Sequence, residues 1–259
     1  MSRPALPLAL FEPGRTLAEM SLLQFGKVPL RFAPSGDGHP VLVCPGFLAS
    51  DRSTGALRRF IESKDYDVYP WELGANLGPG PDGRTMDSLE QRVRAVFEQT
   101  GRRVTLVGWS LGGVLARELA KRIPEQIRQV ITLGSPISGD VHSTNLSWLY
   151  EKVAGPIARA GEIENYRREL QMPPAEVPST AIFTKTDGIV GWRGCVEPKA
   201  PLTDNIEVYA SHCGLGFNPF VFYAIADRLA LREENWSPFD REASAWRRLA
   251  YPTSGHVYG

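Results

Sequence analysis

The sequence has no excess of either charge and no long apolar run. Its 29 basic and 29 acidic residues cancel, and Lys and Arg nowhere cluster into a surface for a polyanion, so no nucleic-acid partner is expected. No apolar stretch reaches the roughly 18 residues of a membrane span, and the N-terminal PALPLALF is short and broken by proline. These absences predict a soluble, cytoplasmic protein.

Cysteine is also scarce. Cys44, Cys195 and Cys213 are too few for a disulfide scaffold, and their spacings match no zinc motif. We therefore expect no metal site and at most one disulfide.

Short β-branched runs alternate with helical patterns along the chain. Apolar runs predict strands at Val28–Phe32, Val41–Cys44, Asp67–Trp71, Val104–Val107, Val130–Leu133, Thr180–Thr184 and Ile206–Ala210. Helical spacing covers Leu17–Phe25, Gly55–Glu62, Ser88–Glu98, Leu111–Arg122 and Phe220–Leu231. This alternation predicts one α/β domain over residues 1–259, with a mainly parallel sheet between two helical layers.

The stretch VTLVGWSLGGVLARELA joins one of these strands to a helix through a turn of small residues. Gly108, Ser110 and Gly112 form the pattern G-x-S-x-G at the join. Such a sharp strand-to-helix turn exposes a serine hydroxyl at the edge of a sheet, and Ser110 is therefore the candidate nucleophile. A serine that only caps the helix is the structural alternative.

A serine hydroxyl needs a general base, and the chain contains four histidines. His212 follows the last predicted strand and precedes the final helix, so its loop opens on the same sheet edge as the serine. His39 lies in a polar turn before a strand, His142 follows Ser-Gly-Asp, and His256 is near the C-terminal end of the sequence. His212 is therefore the candidate base.

Asp187 follows the apolar segment TAIFT and is the candidate acid. The order Ser110, Asp187, His212 is the one expected of a triad in an α/β-hydrolase. An aspartate that only closes a turn remains open as an alternative, with Asp140 as the reserve acid.

Acyl transfer also requires backbone donors for the developing oxyanion. The amide of Leu111, directly after the serine, is one candidate. The segment VLVCPGFLAS offers the amide of Phe47 as the second candidate, because Gly46 permits close approach. An ordinary Pro-Gly turn is the structural alternative for the same residues.

Four motifs together resemble the α/β-hydrolase superfamily, in particular bacterial serine esterases and lipases. VLVCPGF is similar to the oxyanion loop, GWSLGG to the nucleophile elbow, TKTDGIV to the acid turn and SHCGLG to the histidine loop. The resemblance covers most of residues 28–231, and it departs from the commonest pattern where Cys44-Pro45 replaces His-Gly. It implies an α/β-hydrolase fold and a small-molecule ester substrate.

The long connection between ITLGSP and TAIFT is similar in position to the cap insertions of that superfamily. We expect a small helical cap over residues 138–177, with apolar spacing through Leu149 and Val153. The candidate substrate pocket combines cap and loop residues, each of which could equally pack in the core: Leu48, Trp109, Leu149, Val153, Val190 and Leu215.

These residues predict a cofactor-free serine hydrolase that cleaves carboxylic esters through an acyl-enzyme intermediate. An acyltransferase or lyase with the same triad is the alternative, and a non-catalytic binding protein on the same fold is a more distant one. Two cysteines lie in the acid and base loops, so a Cys195–Cys213 bridge is a further expectation, weighed against two free thiols. The oligomeric state is left open, including a homo-oligomer.

Overall fold

Six parallel strands form the central sheet, seen in a computed structural model that describes residues 3–79, 83–138, 144–145 and 168–257. The strands are β1 (Pro40–Cys44), β2 (Asp67–Pro70), β3 (Val104–Trp109), β4 (Ile127–Leu133), β5 (Ser179–Phe183) and β6 (Thr203–Glu207). They are ordered β2-β1-β3-β4-β5-β6, and every neighbouring pair is parallel. The predicted α/β class is confirmed.

Helices cover both faces of this sheet. They are α1 (Leu6–Leu30), α2 (Gly55–Glu62), α3 (Arg84–Thr100), α4 (Leu111–Arg122), α5 (Pro219–Leu229) and α6 (Ala245–Ala250). Val41 and Val43 of β1 pack with α2 and α5, whereas the alternate residues Leu42 and Cys44 pack with α3 and α4. Strands buried on both faces explain why the sequence shows continuous apolar runs. Among the described residues, no helix has the length and apolar character needed to cross a membrane.

One predicted strand is absent, and another is displaced along the chain. Val28–Phe32 is not a strand, because α1 continues to Leu30 and buries that side chain in the core. Five residues such as VPLRF are too short a segment to distinguish a strand from the end of a helix. The last strand covers Thr203–Glu207 rather than Ile206–Ala210, because the polar residues that begin it are buried and hydrogen-bonded.

Part of the predicted cap lies outside the described residues, including Leu149, Val153, Asp140 and His142. Near its C-terminal end, residues 168–171 are helical and Leu170 packs against Val114 of α4. The cap itself therefore stays a prediction.

The expected disulfide is wrong in this structure, because all three cysteines are unpaired. Cys195 is buried among apolar side chains that include Phe183 and Val190, whereas Cys213 is exposed on the histidine loop. Neighbouring loops do not suffice for a bridge when one thiol packs inward and the other lies at the surface.

A buried ion pair joins α4 to the loop before β6. Arg117 Nε donates to Glu197 Oε1 at 2.7 Å and Arg117 Nη2 to Glu197 Oε2 at 2.9 Å, with both side chains almost fully enclosed. Arg117 also donates to the carbonyl of Leu170, and Ser179 donates to Glu197. This bidentate pair connects the helix behind the elbow to the far half of the sheet.

We predict that Arg117→Ala lowers the free energy of unfolding by about 3 to 5 kcal/mol, because it leaves the Glu197 carboxylate buried without its partner. Urea denaturation followed by circular dichroism measures the change. Arg248→Ala is the matched control, since the exposed Arg248–Glu242 pair should contribute less than about 1 kcal/mol. Equal losses in the two variants would contradict the assignment.

Candidate active site

Ser110 occupies a strained turn between β3 and α4. Its φ of 52° and ψ of −122° lie in a region that residues other than glycine rarely adopt. A Cβ added to Gly108 would overlap the backbone of Gly113, and one added to Gly112 would overlap the carbonyls of Cys44 and Pro45. The small residues of G-x-S-x-G are therefore required by the close approach of strand, helix and the loop after β1.

Three strand ends bring the candidate triad together at one edge of the sheet. Ser110 directly follows β3, Asp187 lies in the loop after β5 and His212 in the loop after β6. His212 Nε2 lies 3.1 Å from Ser110 Oγ, and His212 Nδ1 lies 2.7 Å from Asp187 Oδ2. Because a carboxylate only accepts, Nδ1–H donates to Asp187, which leaves Nε2 of the neutral ring to accept from the serine hydroxyl.

Asp187 is itself held by backbone donors. Its Oδ1 accepts from the amides of Ile189 at 2.8 Å and Val190 at 2.7 Å, which leaves Oδ2 for His212. Asp187 therefore closes a turn, which was the alternative to an acid role, and also contacts His212.

The two candidate oxyanion donors flank the serine. Leu111 is the first residue of α4, where an amide has no partner within its own helix. The loop that carries Phe47 passes against the serine, since a Cβ on Gly46 would lie 3.4 Å from Ser110 Cβ. The direction of the Phe47 amide toward an oxyanion stays a prediction.

Asn76 supports that loop and is a residue that the sequence analysis missed. It is fully buried, its Nδ2 donates to the carbonyl of Pro45 at 2.8 Å, and its own carbonyl accepts from Leu48 N at 2.8 Å. A lone asparagine among glycines carries no sequence signal for such a contact.

The described residues of the predicted pocket lie in different places. Trp109 packs in the core, where its indole Nε1 donates to the carbonyl of His212 at 3.2 Å, and Leu215 is fully buried beside it. Trp109 thus contacts the histidine loop directly, and the part of both residues in a substrate pocket stays a prediction. Leu48 is exposed next to the oxyanion loop.

A cavity of about 180 Å³ adjoins the acid rather than the nucleophile. Asp187 and Val190 line it together with residues near the N-terminus of α1, among them Leu8.

Charge around His212 opposes the effect of its burial. Desolvation lowers the pKa of the imidazole, but the charge and hydrogen bond of Asp187 and the charge of Glu12 outweigh it and raise the pKa above its ordinary value. Partial desolvation and the charges of Glu12 and Asp187 raise the pKa of the neighbouring Cys213 thiol to about 11 although the residue is exposed, so this cysteine is protonated and a poor nucleophile at neutral pH.

Comparison with known protein families shows to which family the chain belongs. A sequence model of the family described as palmitoyl protein thioesterase matches residues 40–172, just over half of the chain. The chain belongs to the palmitoyl protein thioesterase family. The match includes Ser110 and both oxyanion candidates but ends before Asp187 and His212, which only the structure brings to the serine.

Similar proteins and structures agree with the α/β-hydrolase resemblance. The chain is 41% identical over 49 residues to the biotin biosynthesis bifunctional protein BioHC of Teredinibacter turnerae, a stretch covering 19% of the chain and only 9% of that protein. Aspergillus fumigatus lipase B has a TM-score of 0.61 at 17% identity, covering 82% of this chain and 56% of the lipase. Mature Bacillus licheniformis lipase BlEst2 has a TM-score of 0.55 at 15% identity, covering 77% and 95%. At such identities the solved structures show the α/β-hydrolase fold alone.

We predict that Asp187→Asn lowers the pKa of His212, because the amide removes both the charge and the acceptor that offset desolvation. A histidine NMR titration of the full chain measures the shift. Asp240→Asn, on an exposed C-terminal turn, is the control and should leave the His212 titration in place. An unchanged titration in Asp187→Asn would show that the acid does not set the charge state of the histidine.

Proposed function

We propose that the protein is a serine hydrolase that cleaves acyl esters and thioesters through an acyl-enzyme intermediate. The observation that carries this proposal is the relay from Ser110 through His212 to Asp187, with the serine in a strained elbow. Membership of the palmitoyl protein thioesterase family adds the thioester to the carboxylic ester expected from the sequence.

In the first half-reaction, His212 Nε2 takes the proton of Ser110 Oγ as the oxygen attacks the carbonyl carbon. Negative charge develops on the carbonyl oxygen, where the amides of Leu111 and Phe47 would stabilise it. Asp187 stabilises the imidazolium that forms. The tetrahedral intermediate then collapses, the bond to the leaving group breaks, and the leaving alcohol or thiol carries away the proton from His212.

In the second half-reaction, His212 takes a proton from water, and the hydroxyl attacks the acyl carbon on Ser110. The bond to Ser110 Oγ breaks, the serine is reprotonated by His212, and the carboxylic acid leaves. No cofactor takes part in either step. An alcohol in place of water would make the same residues an acyltransferase, so an acceptor assay separates the two outcomes.

The pocket for the acyl chain stays part of the proposal. Leu48 is the described candidate nearest the oxyanion loop, and Leu149 and Val153 of the expected cap would add apolar surface. A homologous series of substrates reports on this surface, because each buried methylene contributes about 0.8 kcal/mol.

We predict that Ser110→Ala abolishes turnover while the fold persists, since loss of a triad nucleophile costs about 10⁶ in kcat. Hydrolysis of p-nitrophenyl esters and of matched acyl-coenzyme A thioesters, both of increasing acyl length, measures the loss with and without an alcohol acceptor. Ser21→Ala is the control, because Ser21 is exposed on α1 and bonds only within its helix. Retention of more than about a tenth of wild-type activity would exclude Ser110 as the nucleophile.

We also predict that Asp187→Asn lowers kcat by about 10⁴, because an amide favours the wrong imidazole tautomer and does not stabilise the imidazolium. Asp140→Asn, the reserve acid of the sequence analysis, is the matched comparison in the same ester assay. A larger loss in Asp140→Asn than in Asp187→Asn would transfer the acid role to Asp140.

A further inference from the structure

Helix α1 buries two glutamates, whereas many of its large apolar side chains are exposed. Glu12 is only 3% exposed and Glu19 only 8%. Large apolar residues of the same helix are exposed: Leu6, Leu10, Phe11, Leu17, Leu22 and Phe25. Burial of a carboxylate is costly unless donors satisfy it, so the inward contacts of these two residues determine how the helix is held.

Glu12 joins the acid loop to the histidine loop with one carboxylate. Its Oε1 accepts from the amides of Gly188 at 2.8 Å and His212 at 3.0 Å, and its Oε2 accepts from Cys213 N at 3.2 Å. Gly188 directly follows Asp187. Both catalytic loops are thus hydrogen-bonded, through their backbones, to the same side chain.

Other inward residues of α1 reach the neighbours of the same two loops. Glu19 accepts from the amide of Ser211 at 2.9 Å and from its hydroxyl. Arg15 donates to the carbonyl of Thr186 at 2.7 Å and to that of Ala210 at 2.6 Å. The polar side chains of α1 therefore contact residues that lie next to Asp187 and His212 in the sequence.

Two glycines permit this approach. A Cβ on Gly188 would lie 2.5 Å from the carbonyl oxygen of Leu8, and one on Gly214 would overlap the Glu19 carboxylate. Any larger side chain at either position would push the helix away from the loops.

Charged groups face His212 from two elements. Asp187 contacts the ring from the acid loop. Glu12 faces the histidine loop from α1, and the Arg15 guanidinium lies 3.9 Å from its carboxylate. Glu19 follows about one turn after Arg15 and contacts Ser211. Cys213, on the histidine's own loop, is protonated at neutral pH. Besides Asp187, Glu12 is the carboxylate whose charge raises the pKa of the imidazole.

We propose that Glu12 is a positioning residue, which holds the acid and histidine loops together so that His212 lies between Asp187 and Ser110. This role rests on the proposed function, because it acts through the imidazole that would transfer the proton. The Glu12 charge would in addition favour the imidazolium that forms as the serine attacks.

Glu12→Gln tests the role, because the amide keeps the shape but removes the charge and turns an N–H₂ group toward backbone N–H donors. We expect kcat for p-nitrophenyl acetate to fall by about 10²-fold with little change in KM, since small misplacement of a catalytic group has this effect. The acid limb of kcat/KM should also move to lower pH, because the neutral imidazole is the working base and its pKa falls when the charge is removed.

Glu19→Gln is the matched control, an equally buried carboxylate on the same helix that contacts Ser211 rather than His212. It should leave the acid limb in place. Glu12→Asp keeps the charge but shortens the reach, so we expect a lower kcat with the limb near its wild-type position. Equal limb shifts in the Glu12→Gln and Glu19→Gln variants, or wild-type kcat in both Glu12 variants, would overturn the proposal.

A histidine NMR titration in the Ser110→Ala background separates this proposal from the proposed function, because it needs no turnover. A lower His212 pKa on adding Glu12→Gln supports the contact even if wild-type protein hydrolyses neither ester nor thioester. An unchanged titration overturns it even if hydrolysis is observed. If Glu12→Gln fails to unfold cooperatively in urea, Glu12→Asp decides: a lower kcat with the acid limb near its wild-type position supports the proposal, and a wild-type kcat overturns it.

Discussion

The hydrogen bond between His212 and Asp187 is the contact on which the candidate site depends. It joins the loops after β5 and β6, and at 2.7 Å inside the protein it is shielded from competing water. It selects the imidazole tautomer that can accept from Ser110, and it offsets the desolvation of the ring. The loops that carry these two side chains follow neighbouring strands and are both hydrogen-bonded to Glu12 of α1.

The parallel sheet makes this contact geometrically simple. Carboxyl ends of parallel strands meet at one edge, so residues far apart in sequence converge without long loops. The neighbouring registers of β3, β4, β5 and β6 place the loops of Ser110, Asp187 and His212 in a row. The strained turn at the serine is supported from behind by glycines that let strand and helix touch.

Helix α1 departs from the usual surface helix, in which charged side chains face solvent and large apolar side chains face the core. Besides Leu30 in the core, its contacts with the loops come from carboxylates that accept backbone amides, while several large apolar side chains are left exposed. A buried carboxylate with several N–H partners is stable where an unpaired one would not be. The same hydrogen bonds therefore join the helix to the two loops that carry Asp187 and His212.

Local patterns in the sequence predicted most of the fold and the members of the candidate triad. The β-branched runs, the spacing of α2 and α4, and the G-x-S-x-G turn all depend on neighbours a few residues apart, and such signals survive without a structure. The polar start of β6 and the helical end of α1 did not follow from pattern, because burial and tertiary hydrogen bonds decided them.

Only the tertiary structure revealed the supports of the site. Asn76 against the candidate oxyanion loop and Glu12 against the histidine loop are single polar residues whose partners are backbone groups distant in sequence. Backbone amides and carbonyls are the same at every position, so no residue pattern records which of them a side chain will meet. The unpaired state of Cys195 and Cys213 has the same origin, because loop proximity was predictable and the direction of each thiol was not.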